Sequence, residues 1–163
     1  KSEAAEVASV LAQDPDAVGL LPQPFVTAAL SQNEQLSVVL DLTKAWDSLQ
    51  DEEGKSRLVT GVTIVNNDFL AAHKDLVDAF LTEHEASILF TQEEPDDAAA
   101  LIEKAGIVAK AAIAKKALPA CNISYLDGQE MKDALNGYLS VLFEQEPKAV
   151  GGSLPDDAFY YLP

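Results

Sequence analysis

The chain is poor in cysteine and histidine, and this limits the chemistry that it can carry. Its 163 residues include one cysteine, Cys121, and two histidines, His73 and His84. One cysteine excludes an internal disulfide, and its neighbours Ala120 and Ile123 are those of a small core residue rather than of an activated nucleophile. The two histidines lack the third ligand of a metal site. We therefore expect no catalytic residue, no metal and no cofactor.

Basic residues are also scarce. Eleven lysines and arginines stand against 27 aspartates and glutamates, which gives a formal charge of −16 at pH 7. Such a charge repels phosphate backbones and anionic membrane surfaces, so we expect no nucleic-acid partner. The acidic clusters at 51–53 and 93–97 fall at predicted element boundaries. This placement favours a role in solvating the surface.

Long apolar runs are missing, although apolar residues are plentiful. No run approaches the roughly 20 residues that cross a bilayer, and we expect no signal peptide in this sequence. The chain opens at Lys1 rather than at methionine, which suggests a mature or truncated product. With 48% hydrophobic residues the chain can still bury one good core.

Helical and strand patterns alternate in the first 65 residues, which predicts the α/β class. Helices are expected at 3–13, capped by Ser2, and at 25–31; strands are expected at 17–21, 36–42 and 58–65. Such alternation predicts a parallel or mixed sheet with crossover helices. The rest of the chain reads as helical. Its helices are expected at 67–83 after a cap at Asn66 or Asn67, at 96–104 between Pro95 and Gly106, at 108–117, and at 127–146 after a capping box of Asp127 and Glu130.

The turn after the first predicted strand is the candidate ligand site. Five apolar residues, 17–21, fit a strand buried on both faces, and Pro22 and Pro24 then turn the chain out of the sheet. The turn presents the amide of Gln23 and the ring of Phe25 at the end of the strand, where open α/β sheets bind ligands. The alternative, that the prolines only end a strand, stays open.

Two stretches of the sequence carry a family resemblance. The first begins at Ser2 and ends in Leu21-Pro22-Gln23-Pro24-Phe25-Val26-Thr27. The second is a C-terminal pattern of Asn122–Tyr125, Gly128–Lys132, Gly137–Leu142, Pro147-Lys148, Gly151-Gly152, Leu154–Asp157 and Phe159–Tyr161. Together they resemble the extracytoplasmic solute-binding proteins of ABC transporters, and the nearest branch binds thiamine-pyrimidine precursors, sulfonates and nitrate.

The resemblance implies a two-lobe α/β fold of the periplasmic-binding type, of which this chain is a C-terminal fragment. Residues 1–57 then belong to the second lobe, 58–66 form a hinge strand that returns to the first lobe, and 67–163 supply its C-terminal helices. The N-terminal remainder of the same protein becomes a partner of this chain.

The resemblance also assigns roles to single residues. The ligand-binding residues are Gln23, Pro24, Phe25 and Thr63, and the hinge residues are Thr60, Gly61 and Asn66. Relatives often carry Trp-Glu-Pro where Pro22-Gln23-Pro24 stands here, so a carboxylate is replaced by an amide that both donates and accepts hydrogen bonds. For Thr60, Thr63 and Asn66, ordinary strand and cap roles stay open.

The function implied is that of a non-enzymatic importer component. It captures a small organic solute between two lobes and delivers it to a membrane permease, outside the cytoplasm and attached to the membrane by a lipid anchor. Cys121 is too deep in the chain to carry that anchor. Two alternatives stay open: an enzyme or sensor on the same scaffold, and an acidic protein-interaction domain.

Overall fold

The structure is a computed structural model that describes residues 3–14, 16–49 and 56–163. The described residues form eight α-helices: α1 (Ala4–Gln13), α2 (Phe25–Gln32), α3 (Leu42–Leu49), α4 (Asn67–Ala72), α5 (Lys74–Glu93), α6 (Pro95–Lys104), α7 (Ala111–Ala117) and α8 (Gly128–Gln145). A short 3₁₀ helix at Leu118–Ala120 lies between α7 and α8, and two more, Pro147–Val150 and Asp157–Phe159, come after α8. No described helix is both long and apolar enough to cross a membrane.

The predicted α/β class is wrong, because every regular element in the described residues is helical. The predicted strands at 17–21, 36–42 and 58–65 lie outside helices, apart from Leu42, where α3 begins. None of them forms a ladder with another described segment. A strand exists only as one partner of a hydrogen-bonded pair, and these apolar runs find no partner here. The two-lobe α/β fold that the resemblance implies is also wrong for the described residues, since they form no strand.

Several predicted helix boundaries agree with the structure. Pro95 opens α6, and Gly106 follows its end with φ +72°, a left-handed conformation that suits glycine. Asn66 caps α4 as expected. Asp127 precedes α8 but makes no side-chain capping bond, so the predicted capping box is wrong. Ser2, the expected cap of α1, lies outside the described residues.

The chain divides into two compact units. The first unit comprises Lys1–Val38 and Leu81–Tyr125, and the second comprises Val39–Phe80 and Leu126–Pro163. In the first unit α1 packs on α2, α2 on α7, and α6 on α7. Alanines dominate the buried side chains, which lets these helices approach closely. The buried residues of this unit are Leu11, Ala29, Ile88, Ala98, Ala99, Ala114 and Ala117.

The second unit is organised around α8. Its buried hydrophobic residues are Val77, Ala134 and Tyr160. Trp46 of α3 meets Tyr138 of α8 edge to face, with ring centroids 5.4 Å apart. Lys132 of α8 binds Asp157 at 2.7 Å and lies 5.7 Å from the ring centre of Tyr160. Tyr160 of the C-terminal segment is therefore packed in this unit, whereas Phe159 is 58% exposed. The predicted domain boundaries after residues 57 and 66 stay a prediction.

Candidate functional site

The proline turn lies in the first unit, where it starts α2. The bond between Gln23 and Pro24 is cis, and Pro24 occupies the N-cap position of the helix. Proline has no side-chain acceptor for the first free amides of a helix. Gln23 supplies one instead: its Oε1 accepts hydrogen bonds from Thr27 N at 3.3 Å and Thr27 Oγ1 at 2.8 Å. Gln23 is thus a capping residue of α2.

The capping role of Gln23 uses the oxygen of its amide and leaves the Nε2 group able to donate a hydrogen bond. Its oxygen is engaged by Thr27, whereas its Nε2 donates no hydrogen bond to any residue that the structure describes. Gln23, Pro24 and Phe25 are all half-buried, so each still presents surface to solvent. The turn therefore offers a neutral hydrogen-bond donor beside an aromatic ring, which suits a small organic molecule.

The other predicted site residues lie in the second unit. Thr60, Gly61 and Thr63 are exposed and belong to the irregular run 56–66. A Cβ added at Gly61 meets no atom within 4 Å, so packing does not require glycine there. Asn66 Oδ1 accepts from Asp68 N at 2.9 Å and Phe69 N at 3.2 Å, which makes it the N-cap of α4. The ligand and hinge roles of these residues stay predictions.

A small pocket in the first unit was not predicted from the sequence. Its volume is about 270 Å³, slightly below the range of about 300–1,000 Å³ that is typical of ligand pockets. Gln92 Nε2 donates to Ile123 O at 2.9 Å, and Thr91 Oγ1 donates to Ile88 O at 2.7 Å, so both polar side chains are engaged internally. The sequence signal for this pocket is Pro119, which ends the predicted helix before it. The lining residues are Thr91, Gln92, Leu118, Pro119, Asn122 and Ile123.

The histidines and the cysteine belong to no metal-holding group in the described part of the chain. No group of three or more His, Cys, Asp or Glu residues there is placed to hold a metal ion. His73 lies against Phe69 with ring centroids 4.8 Å apart, and His84 faces Tyr125 at 6.2 Å. Burial raises the pKa of Cys121, which disfavours the reactive thiolate.

One charged cluster stands out in the second unit, and its role is to hold the C-terminal segment. Tyr161 donates its hydroxyl to Asp78 Oδ1 at 2.5 Å, and Lys74 Nζ binds Asp78 Oδ2 at 2.6 Å. The Lys74 ammonium also lies 5.4 Å from the centre of the Tyr161 ring. The hydrogen bond from Lys74, and then that from Tyr161, lowers the pKa of Asp78.

Comparison with known proteins gives one line of evidence on function. No protein-family model matches the chain, and no curated protein matches it. A crystal structure of an ABC transporter from Parabacteroides distasonis matches with 27% sequence identity and a TM-score of 0.71. The match covers 100% of this chain but 54% of the solved one, so this chain spans about half the length of that protein. Over its whole length the chain is thus similar to a protein described as an ABC transporter.

Proposed function

We propose that this chain is part of the solute-binding component of an ABC-type importer. In this role it captures a small organic solute and delivers it to a membrane permease, without chemistry of its own. The observation that carries the proposal is the similarity, over the full chain, to the Parabacteroides distasonis structure. A permease partner follows from the transporter class.

Finer parts of the proposal rest on the sequence resemblance. They are the branch of binders of thiamine-pyrimidine precursors, sulfonates and nitrate, and a position outside the cytoplasm with a lipid anchor. They also include an N-terminal remainder of the same protein. The match to only 54% of the solved chain supports that remainder, because a similar protein has nearly as much polypeptide again.

We place the solute contact of the first unit at Gln23, Pro24 and Phe25. The free Nε2 of Gln23 donates to a polar atom of the solute, and the Phe25 ring packs on its apolar or aromatic part. No charged side chain belongs to this trio, which favours a ligand with mixed polar groups over a purely cationic one. Thr63, in the second unit, stays a prediction as a further contact.

The test begins with a thermal-shift screen of the natural protein against sulfonates, pyrimidines and aromatic acids. We expect one class to raise the Tm in a saturable manner, because a ligand that binds only the folded state stabilises it. Gln23→Glu then separates the two roles of Gln23. It keeps an acceptor for Thr27 and removes the Nε2 donor, so we expect Kd to rise by about three- to tenfold, the cost of one hydrogen bond.

Thr27→Val is the matched control, because it removes the hydroxyl that binds Gln23 and leaves the amide in place. We expect it to lower the Tm by a few degrees, through a loss of about 1 kcal/mol, and to leave Kd nearly unchanged. A ligand that binds both variants as tightly as it binds the original protein contradicts the placement of the site. A screen in which nothing binds contradicts the solute-binding role itself.

A further inference from the structure

The pocket beside Pro119 has no part in the proposed function. It lies wholly in the first unit, between the C-terminal end of α5 and the turn that follows α7. A cavity of about 150 Å³ is large enough for benzene, and this pocket measures about 270 Å³. None of its lining residues belongs to the proline turn at 22–25. The pocket therefore has room for a compact ring compound of its own.

Two polar side chains of the pocket use their donors within the protein and keep acceptors available. Gln92 Nε2 donates to Ile123 O at 2.9 Å, and Thr91 Oγ1 donates to Ile88 O at 2.7 Å. Gln92 Oε1 accepts a hydrogen bond from no residue that the structure describes. The hydroxyl oxygen of Thr91 also keeps lone pairs after it donates. A molecule that complements these groups supplies a hydrogen-bond donor.

The other walls of the pocket are mainly apolar. Leu118, Pro119 and Ile123 provide them, and none of the described residues that line the pocket carries a charge. A charged ligand would lose hydration on these walls without gaining an ion pair. The walls therefore favour an uncharged molecule with an apolar body.

The turn that forms one wall has an unusual backbone conformation. Asn122 has φ +51°, and among the described residues it is the one non-glycine residue with positive φ. Asparagine adopts this left-handed conformation more often than most residues, but any side chain makes it costly. The conformation lets the chain return to α5, where Ile123 O receives the hydrogen bond from Gln92. Strained residues of this kind cluster at binding sites, which agrees with the open acceptors beside it.

We propose that this pocket is a second small-molecule site, for a compact, uncharged compound that carries a hydrogen-bond donor on an apolar ring. Gln92 Oε1 accepts from the donor, and Leu118, Pro119 and Ile123 pack on the ring. The site goes beyond the proposed solute contact, with which it shares no residue.

A matched pair of probes tests the proposal. Indole has an apolar ring and one N–H donor, and benzofuran has the same shape with an oxygen in place of the N–H group. Each is titrated into the isotope-labelled natural protein, and the amide chemical shifts are followed by NMR. We expect saturable shifts centred on 91–92 and 118–123. Indole should bind about three- to tenfold more tightly than benzofuran, by the free energy of one hydrogen bond.

A pair of variants assigns that hydrogen bond to Gln92. Gln92→Met removes the acceptor oxygen but keeps the length of the side chain. We expect it to weaken indole by about three- to tenfold and to abolish the difference between the two probes. Gln129→Met is the matched control, because Gln129 is an exposed glutamine of α8 in the second unit, and it should leave both affinities unchanged.

Three outcomes overturn the proposal. One is equal affinity of the original protein for the two probes, which removes the role of the acceptor and needs no variant to fold. Another is a set of shifts centred on 23–27, since the probe then occupies the proline turn. The third is the lack of any saturable shift up to the solubility limit of indole.

Discussion

Asp78 shows how single residues hold the end of the chain in place. It binds Lys74 from its own helix and Tyr161 from the C-terminal segment. Because the pKa of Asp78 is lower in the folded chain than in the unfolded one, its contribution to stability is present at neutral pH. That contribution is lost as the pH falls through the folded-state pKa.

We therefore expect Asp78→Asn to lower the Tm at pH 7. The Tm values of the variant and the original protein should become equal in acid. Thermal unfolding between pH 7 and pH 2 measures this. Glu85→Gln is the control, because Glu85 is exposed in the middle of the same helix, and it should change little at any pH. A Tm difference for Asp78→Asn that stays constant down to pH 2 contradicts this role for Asp78.

At the scale of elements, α8 lies close to residue 56 in the second unit. A Cβ on Gly137 would lie 2.8 Å from Ser56 Cβ and 3.0 Å from Ser56 Cα. Alanine gains about 1 kcal/mol over glycine inside a helix, but the overlap with Ser56 costs about 1–3 kcal/mol. We expect Gly137→Ala to reduce the free energy of unfolding by about 1 kcal/mol in denaturant titration.

Gly61→Ala is the control for that prediction. A Cβ at Gly61 has no neighbour within 4 Å, and the residue has no left-handed φ. We expect a change within about 0.5 kcal/mol, or a small gain from a stiffer unfolded chain. If Gly137→Ala is as stable as the original chain, the close approach of α8 to residue 56 is wrong.

Most helices could be predicted from the sequence, and the strand assignments could not. Pro95 and Gly106 bound α6, and Asn66 starts α4, because proline, glycine and asparagine act through local backbone geometry. The break between α4 and α5 at His73 has no such signal. The strand predictions at 17–21, 36–42 and 58–65 failed, because an apolar pattern shows that a segment can pair and not whether a partner is present.

The candidate site shows the same division. The prolines correctly predict a turn that ends at Phe25, where α2 begins. The bond that Thr27 donates to Gln23 was not predicted. Pro24 occupies the N-cap position of α2, so the side-chain acceptor belongs to the preceding residue, Gln23. The pocket at Pro119 depends on contacts between distant residues, such as Gln92 and Ile123, that no local pattern reveals.

At the scale of the whole molecule, two properties bear on function: the net negative charge of the chain and its similarity to a solved structure. A formal charge of −16 disfavours contact with nucleic acid and with anionic lipid surfaces. The similarity to an ABC transporter structure, at a TM-score of 0.71 over the full chain, supports a role in transport. Because the match covers 54% of that structure, we propose to measure the transport role on the natural protein.

Uptake by intact cells of the source organism tests the transport role most directly. The gene is deleted, and uptake of the solute class that stabilises the natural protein is compared with and without restoration of the gene. We expect uptake to fall on deletion, to return with the original gene, and to return only partly with Gln23→Glu. Undiminished uptake of that solute in the deletion strain would contradict a role for this protein in its import.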